Sequence, residues 1–206
     1  MVVWRHGQTA WNLEGRFQGQ TDVDLDEVGV AQAERSASLL AGLAPAAIVS
    51  SDLRRALDTA SALARIVRLE VAVEPRLRET HGGEWQGLTN AEIRARYPGG
   101  FEAWVHGADL PGEGAETREA VGRRAVAAIH DALTGIGDGE TLVAVTHGGA
   151  ARSAIGSLLG LPQPCWTALG PLSNCCWSVL EQHDGGWRLL EHNAGSLPEP
   201  VLGDER

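Results

Sequence analysis

Two histidines in this sequence, in Arg5-His6-Gly7 and His147-Gly148-Gly149, stand beside glycines just after short apolar runs. Two further stretches, Ser50-Ser51-Asp52-Leu53-Arg54-Arg55 and Arg76-Leu77-Arg78-Glu79, bring arginines and one carboxylate. Guanidinium groups bind phosphoryl oxygens bidentately, and the N–H groups of Gly7 or Gly148 would add donors where a helix starts. Such a shell cancels the charge that repels a nucleophile. A neutral histidine inside it can attack phosphorus and form a phosphohistidine that water later hydrolyses. The second histidine can donate to the phosphoryl oxygens in the transition state. A carboxyl group beside the leaving oxygen would serve as general acid and then as base for water. The chemistry these residue types suggest is phosphoryl transfer without a metal.

These groups must be brought to one place, and the apolar pattern says how. Short apolar runs at 2–4, 46–49, 71–73 and 141–146 read as strands, and each ends just before one of the polar stretches. In an open parallel sheet, ligands bind beyond the carboxyl ends of the strands, so the polar stretches share one edge. Helices alternate with the strands. One follows Gly29, with Ala33, Leu39, Leu40 and Leu43 available for one face. Leu53, Leu57, Ala60, Ala64 and Val67 form a second stripe, and Val121, Ala125, Ala128, Ile129 and Leu133 a third. Residues 150–159 read as a helix closed by Gly160. Thr89 and Glu92 have capping-box spacing and start a short helix that ends near Tyr97, before Pro98. Residues 176–180 and 187–190 flank Asp184-Gly185-Gly186, which has hairpin chemistry.

The expectation is an α/β fold, a mostly parallel sheet with helices on both faces, forming a single domain over 1–206. The stretch 82–114 breaks the alternation, is rich in Gly and Trp, and is read as an inserted lid with one short helix. The tail from Ser196 is expected to fray. Only four residues precede Arg5, which is short for a central strand. Either the start lies further upstream or this strand is trimmed.

Composition excludes several classes. A chain of 206 residues buries roughly 70% of its unfolded surface, so its core needs no disulfide or metal staple. Its 17 basic residues are all arginine. Without lysine there is no Walker-type phosphate loop and no Schiff-base chemistry. A net charge of -10 argues against a nucleic-acid partner. Cys165, Cys175 and Cys176 form no CxxC pair, so neither a disulfide framework nor a zinc knuckle is expected. There is no charged-then-apolar leader and no long apolar run, so no membrane partner and a cytoplasmic location are expected. No cluster of carboxylates or HxH spacing offers ligands for metal ions, so no cofactor is expected.

Arg5-His6-Gly7-Gln8-Thr9 resembles the signature of the histidine phosphatase superfamily, which includes cofactor-dependent phosphoglycerate mutases. The same family pattern is matched by Asn12, Gln18-Gly19, Leu25 with Gly29, Gln32-Ala33, and Ser51-Asp52-Leu53-Arg54-Arg55-Ala56. Leu77-Arg78-Glu79, Gly83-Glu84-Trp85-Gln86-Gly87, Glu116-Thr117 and His147-Gly148-Gly149 continue it, so the resemblance spans most of the chain. Within the superfamily, residues 76–89, Trp166-Thr167-Ala168-Leu169-Gly170, and Asn174 before Trp177 are similar to actinobacterial glucosyl-3-phosphoglycerate phosphatases. The resemblance implies His6 as nucleophile, Glu79 as proton donor, Arg5, Arg55 and His147 as phosphate binders, and Asn12 and Gln18 in the phosphate pocket. It implies a small-molecule phosphomonoester as the partner and leaves a homodimer open.

The alternatives are a phosphoglycerate mutase, another small-molecule phosphatase of the superfamily, a non-catalytic phospholigand binder, and a metal-dependent phosphatase. The lid offers Arg94 and Arg96 against Glu84, Glu92, Glu102, Asp109 and Glu113. A net negative lid favours a substrate whose far end is neutral and disfavours a bisphosphate. Arg54 points away from Arg55 on a helix and is given a surface role. His81, His130, His183, His192 and Glu84 are read as structural, Trp177 and Trp187 as core, and Cys176 as a buried small hydrophobe. Trp85 and Trp104 are equally suited to lining the pocket and to packing.

Overall fold

The computed structural model describes residues 1–112 and 114–195, so the expected fraying after Ser196 lies outside the described residues. Six strands form one sheet: β1 (Val2–Arg5), β2 (Ala47–Ser50), β3 (Val71–Val73), β4 (Leu142–Thr146), β5 (Trp177–His183) and β6 (Gly186–Ala194). Their order is β3-β2-β4-β1-β5-β6. β1, β2, β3 and β4 run parallel, while β5 is antiparallel to β1 and to β6. The expected α/β fold with a mostly parallel sheet is therefore present, and the hairpin falls where Asp184-Gly185 placed it.

The helices are α1 (Ala10–Leu13), α2 (Glu27–Leu40), α3 (Arg54–Val67), α4 (Asn90–Arg96), α5 (Gly100–Val105), α6 (Arg118–Leu133) and α7 (Gly148–Leu158). Alternation along the strands divides the core between two faces. Trp4, Ile48, Val143 and Val145 pack with Ala33, Ala37, Leu40, Ala60 and Leu63 of α2 and α3. Val3, Val49, Leu142 and Ala144 point the other way and pack with Ala125, Ile129, Ala154 and Ile155 of α6 and α7. β1 is only four residues long, yet β4 and β5 pair with it on its two sides and Val2, Val3 and Trp4 are buried. A third cluster, Trp85, Ile93, Phe101 and Leu110, lies apart from the sheet faces.

Several elements depart from the sequence expectation. Residues 82–114 hold two α-helices, not one. α4 starts at the Thr89–Glu92 capping box as expected, but α5 follows from Gly99, whose φ of 77° restarts the chain after Pro98. Gly-Gly spacing had hidden that start. α1 was not expected; its four residues carry no apolar periodicity and are held by a capping box between Thr9 and Asn12. Of the adjacent cysteines it is Cys175 that is buried, while Cys176 is half-buried. Trp177 is core as read, but Trp187 is only half-buried at the sheet margin. Among the described residues, no helix is long and apolar enough to cross a membrane.

Candidate active site

Both histidines sit where strands end. His6 follows β1, and His147 follows β4 as the residue that caps α7. Their rings lie 5.0 Å apart between centroids, and both are buried. Nδ1 of His6 lies 2.7 Å from the Gly7 carbonyl oxygen. A carbonyl can only accept, so the proton is on Nδ1 and the Nε2 lone pair is free. Burial, then the charges of Arg55 and Arg5, pushes His6 well below the usual histidine range, so the ring is neutral at neutral pH. Burial and Arg55 act the same way on His147.

The His147 ring is oriented by Ser51, whose Oγ lies 2.9 Å from Nε2. That Oγ also accepts the Leu53 N–H at 3.3 Å. If the hydroxyl hydrogen is donated to Nε2, His147 carries its own proton on Nδ1. Nδ1 is buried and has no hydrogen-bond partner among the described residues.

The loop after β1 is clamped from several sides. Asn174 Nδ2 donates to the His6 and Gly7 carbonyls, and Thr59 Oγ1 accepts the Gly7 N–H at 3.1 Å. The start of α2 presses so closely on this loop that a Cβ at Gly29 would lie 2.0 Å from the Gln8 carbonyl oxygen. The Gly7 N–H is therefore spent on Thr59 and is not the phosphate donor expected from its neighbourhood.

Two guanidiniums, one fully buried and one half-buried, act on His6. Arg55, fully buried, donates to the carbonyls of Thr21 and Gly19 at 2.7 and 2.8 Å. Arg5 donates to the Leu172 carbonyl. These partners are uncharged, so both side chains keep their full charge toward the cavity. Burial, with a smaller push from the Arg5 charge, lowers Arg55 to about 10, and burial lowers Arg5 as well, leaving both protonated at neutral pH. The Nε atoms of both arginines and Oε1 of Gln18 are buried without partners among the described residues.

Glu79 is held at the start of α7. Its Oε2 accepts from Gly149 N–H, and its Oε1 accepts from Ala150 and Thr80 N–H, at 2.7 to 2.9 Å. A Cβ on residue 149 would lie 2.6 Å from Glu79 Oε1, so only glycine admits the carboxylate. Arg124 fixes the approach by donating to the carbonyls of Arg76, Arg78 and Glu79 while pairing with Glu116.

A cavity of about 370 Å³ opens over these groups. Arg5, His6, Asn12, Gln18, Arg55, Glu79 and Gly148 line it, and the His147 ring lies beside that of His6. Arg76 and Arg78 do not reach it. Arg76, inside the tight turn Pro75–Leu77, pairs with Glu74 and Asp131, and Arg78, which ends that turn, pairs with Asp52. Arg54 pairs with Asp22 and Asp24 at the surface, as expected. His81 hydrogen-bonds the Gly114 carbonyl, Glu84 accepts from Tyr97, and His192 bridges Ser178 and Gly170. Trp85 is completely buried in the third cluster, whereas Trp104 lines the cavity with Trp11, Phe17 and Phe101.

Sequence reasoning missed Arg118 and Arg152, which also line the cavity. Arg152 was within reach, since it lies four residues after Gly148 on the same helix face. With them, five arginines face two glutamates around the cavity, so its wall is positive despite the acidic lid segment. Among the described residues, no group of three or more His, Cys, Asp or Glu side chains could hold a metal ion.

The family profile described as histidine phosphatase superfamily (branch 1) matches residues 1–195. The chain is 41% identical to glucosyl-3-phosphoglycerate phosphatase of Mycolicibacterium vanbaalenii, over 95% of each protein. It is 36% identical to a metal-independent phosphoserine phosphatase of Arabidopsis thaliana, over 91% of this chain and 78% of that one. Among solved structures, mycobacterial glucosyl-3-phosphoglycerate phosphatase complexed with VO3 superposes with a TM-score of 0.89 at 42% identity, covering 94% of this chain and 98% of the other.

Proposed function

This chain belongs to the histidine phosphatase superfamily, and on that premise we propose that it hydrolyses a phosphomonoester through a phosphohistidine on His6. Glucosyl-3-phosphoglycerate is the substrate that the names of its relatives support. The observation that carries the mechanism is the Nδ1 bond of His6 to the Gly7 carbonyl. It leaves a neutral Nε2 lone pair near two arginines, the fully buried Arg55 and the half-buried Arg5.

Arg5 and Arg55, with Asn12, Gln18 and the Gly148 N–H, hold the phosphoryl oxygens and withdraw charge from phosphorus. Nε2 of His6 attacks phosphorus as the ester oxygen leaves. Glu79 gives that oxygen its proton, and His147 donates from Nδ1 to the charge that builds on the phosphoryl group. Water then attacks the phosphohistidine, Glu79 takes one of its protons, and the P–N bond breaks to release phosphate and restore His6. Residues 82–114 act as a lid within a single domain. Its aromatic side chains meet the sugar, leaving the phosphohistidine open to water. The three free cysteines fit a reducing, cytoplasmic setting.

The test is a rapid-quench experiment with labelled glucosyl-3-phosphoglycerate. Label should remain on the protein in alkali, leave in acid, and appear as free phosphate in later turnovers. In a parallel assay with 2,3-bisphosphoglycerate added, conversion of 3- to 2-phosphoglycerate that outruns phosphate release would establish a mutase instead.

A further inference from the structure

Asn174 lies just before β5 and does not line the cavity. Its amide nevertheless meets three oxygens of the catalytic centre. Nδ2 donates to the His6 and Gly7 carbonyls at 3.1 Å each and to Asn12 Oδ1 at 3.2 Å. The two N–H bonds of Nδ2 are thus shared among three acceptors. The amide has one workable orientation, because a flip would press its oxygen against two carbonyl oxygens. The segment that carries it is tied down on both sides. Cys175 N–H donates to the His6 carbonyl at 3.2 Å, and the Cys175 carbonyl accepts from Trp4 Nε1 and Ser36 Oγ. Cys175 has a φ of 56°, a left-handed conformation that is costly for a residue with a side chain and is held here by those bonds. On the other side, Asn193 Oδ1 accepts the Ser173 N–H at 2.7 Å.

Each acceptor bears on the chemistry. The Gly7 carbonyl is the one that takes the Nδ1 proton of His6 at 2.7 Å. Its oxygen therefore serves His6 and Asn174 together. Gly7 has no side chain to fix that peptide unit, so the Asn174 donor helps to keep the acceptor facing the ring. Asn12 Oδ1 accepts from Thr9 N–H and Thr9 Oγ1, at 3.1 Å each, as well as from Asn174. A backbone N–H against Oδ1 settles which end of the Asn12 amide is oxygen. Nδ2 of Asn12 makes none of these bonds and is the donor that Asn12 offers to the cavity it lines.

We propose that Asn174 is a positioning residue for the nucleophile and for the phosphate pocket. It holds the Gly7 carbonyl so that His6 keeps its proton on Nδ1 and presents Nε2 to phosphorus. It also turns the Asn12 amide so that Nδ2 meets the phosphoryl oxygens. The proposal rests on the phosphatase reading and adds to it a residue that acts without touching substrate. Remove the Asn174 donor and the Gly7 carbonyl is free to swing from the ring, which lets the imidazole proton move to Nε2. That tautomer carries its lone pair on Nδ1, facing the backbone of its own loop, and cannot attack phosphorus. The Asn12 amide is loosened by the same change, since its oxygen loses one of three donors.

The test reads the tautomer directly. In protein labelled with ¹⁵N-histidine, long-range ¹H–¹⁵N correlation at neutral pH distinguishes protonated from unprotonated ring nitrogens, and the His6→Ala spectrum identifies the His6 signals. Wild-type His6 should show a protonated Nδ1 and a bare Nε2. Asn174→Ala should move part of the His6 population to the Nε2–H form and lower kcat/KM about 10-fold, the size of a buried acceptor left unpaired. Asn174→Leu, of similar shape and unable to donate, should do the same and serves if the alanine variant does not fold. The loss should be equal on p-nitrophenyl phosphate and on alkoxide esters, because it falls on the nucleophile and not on the acid. In a double-mutant cycle, Asn174→Ala should cost less in an Asn12→Ala background than in the wild type, and additive losses would overturn the role toward Asn12. An unchanged His6 tautomer in the folded variants, or a wild-type His6 protonated on Nε2, would overturn the role toward the nucleophile. Absence of phosphate release by the wild type would defeat the phosphatase reading instead, and the spectra would still decide what Asn174 does to His6.

Discussion

The floor of the cavity and its outer wall are built in opposite ways. The floor is made of short polar segments after β1, β2, β3 and β4, and nearly every group in it is aimed by a backbone atom. The Gly7 carbonyl aims His6, the Thr21 and Gly19 carbonyls aim Arg55, and the N–H groups of α7 aim Glu79. The wall is made of side chains packed on side chains. Trp104 meets Phe17 edge-on at 5.6 Å and Phe101 at a tilt at 5.7 Å, and Arg94 stacks 4.0 Å over Phe101. Backbone hydrogen bonds fix an atom to within tenths of an ångström, as nucleophilic chemistry requires. Side-chain packing tolerates exchange of one shape for another, as selectivity among leaving groups requires. The contrast predicts that changes in the floor abolish turnover and changes in the wall redirect it.

The largest effect should come from the floor. His6→Ala is expected to lower kcat by on the order of 10⁴ or more and to abolish the alkali-stable phosphoenzyme. An alanine variant with near-normal turnover would place the nucleophile elsewhere. Glu79→Gln comes next. It should slow esters with alkoxide leaving groups by roughly 10²–10⁴ and affect p-nitrophenyl phosphate, which leaves without a proton, much less. Loss to the same extent on both would make Glu79 a substrate-positioning group and move the acid away from the floor.

The third prediction concerns protons that the folded floor refuses. His6 and His147 are held neutral in the fold, with burial as the first cause and Arg55 the next. Below their unfolded value near 6.5, the unfolded chain binds protons that the native chain refuses. Stability is therefore full above pH 6.5 and falls as pH drops, by up to ~1.4 kcal/mol per pH unit for each histidine. Urea denaturation of the wild type between pH 7.5 and 5.5 should show this slope, and His147→Asn should show a shallower one. Equal slopes would mean that His147 is protonated in the native protein.

The smallest effect belongs to the wall. Trp104→Ala should raise KM for glucosyl-3-phosphoglycerate about 3- to 10-fold, the worth of one aromatic contact, with a much smaller change in kcat. A fall in kcat that exceeds the rise in KM would mean that the wall also positions the floor, and the contrast would fail.

The same contrast explains what could be read in advance. Arg5, His6, Arg55, Glu79 and Gly148 were legible because each stands a fixed, short distance after an apolar strand, and the sheet carries all strand ends to one edge. Arg76 and Arg78 met the same criterion and were misplaced. Whether a side chain turns inward depends on partners such as Glu74, Asp131 and Asp52, which sequence adjacency does not reveal. Arg118 failed the criterion because it opens α6, which follows no strand directly, and only the packing of α6 on α7 brings it to the cavity; Arg152 lies one turn beyond Gly148 on α7. The order of roles along the chain, two histidines in glycine-flanked turns and a carboxylate after the third strand, was written locally, in periodicity and in turn chemistry. The proton on Nδ1 of His6 is set by the carbonyl of the next residue, Gly7, whereas the directions of Arg5 and Arg55 were decided by tertiary structure. Those two guanidiniums depend on carbonyls that lie tens of residues away in sequence and within 3 Å in space.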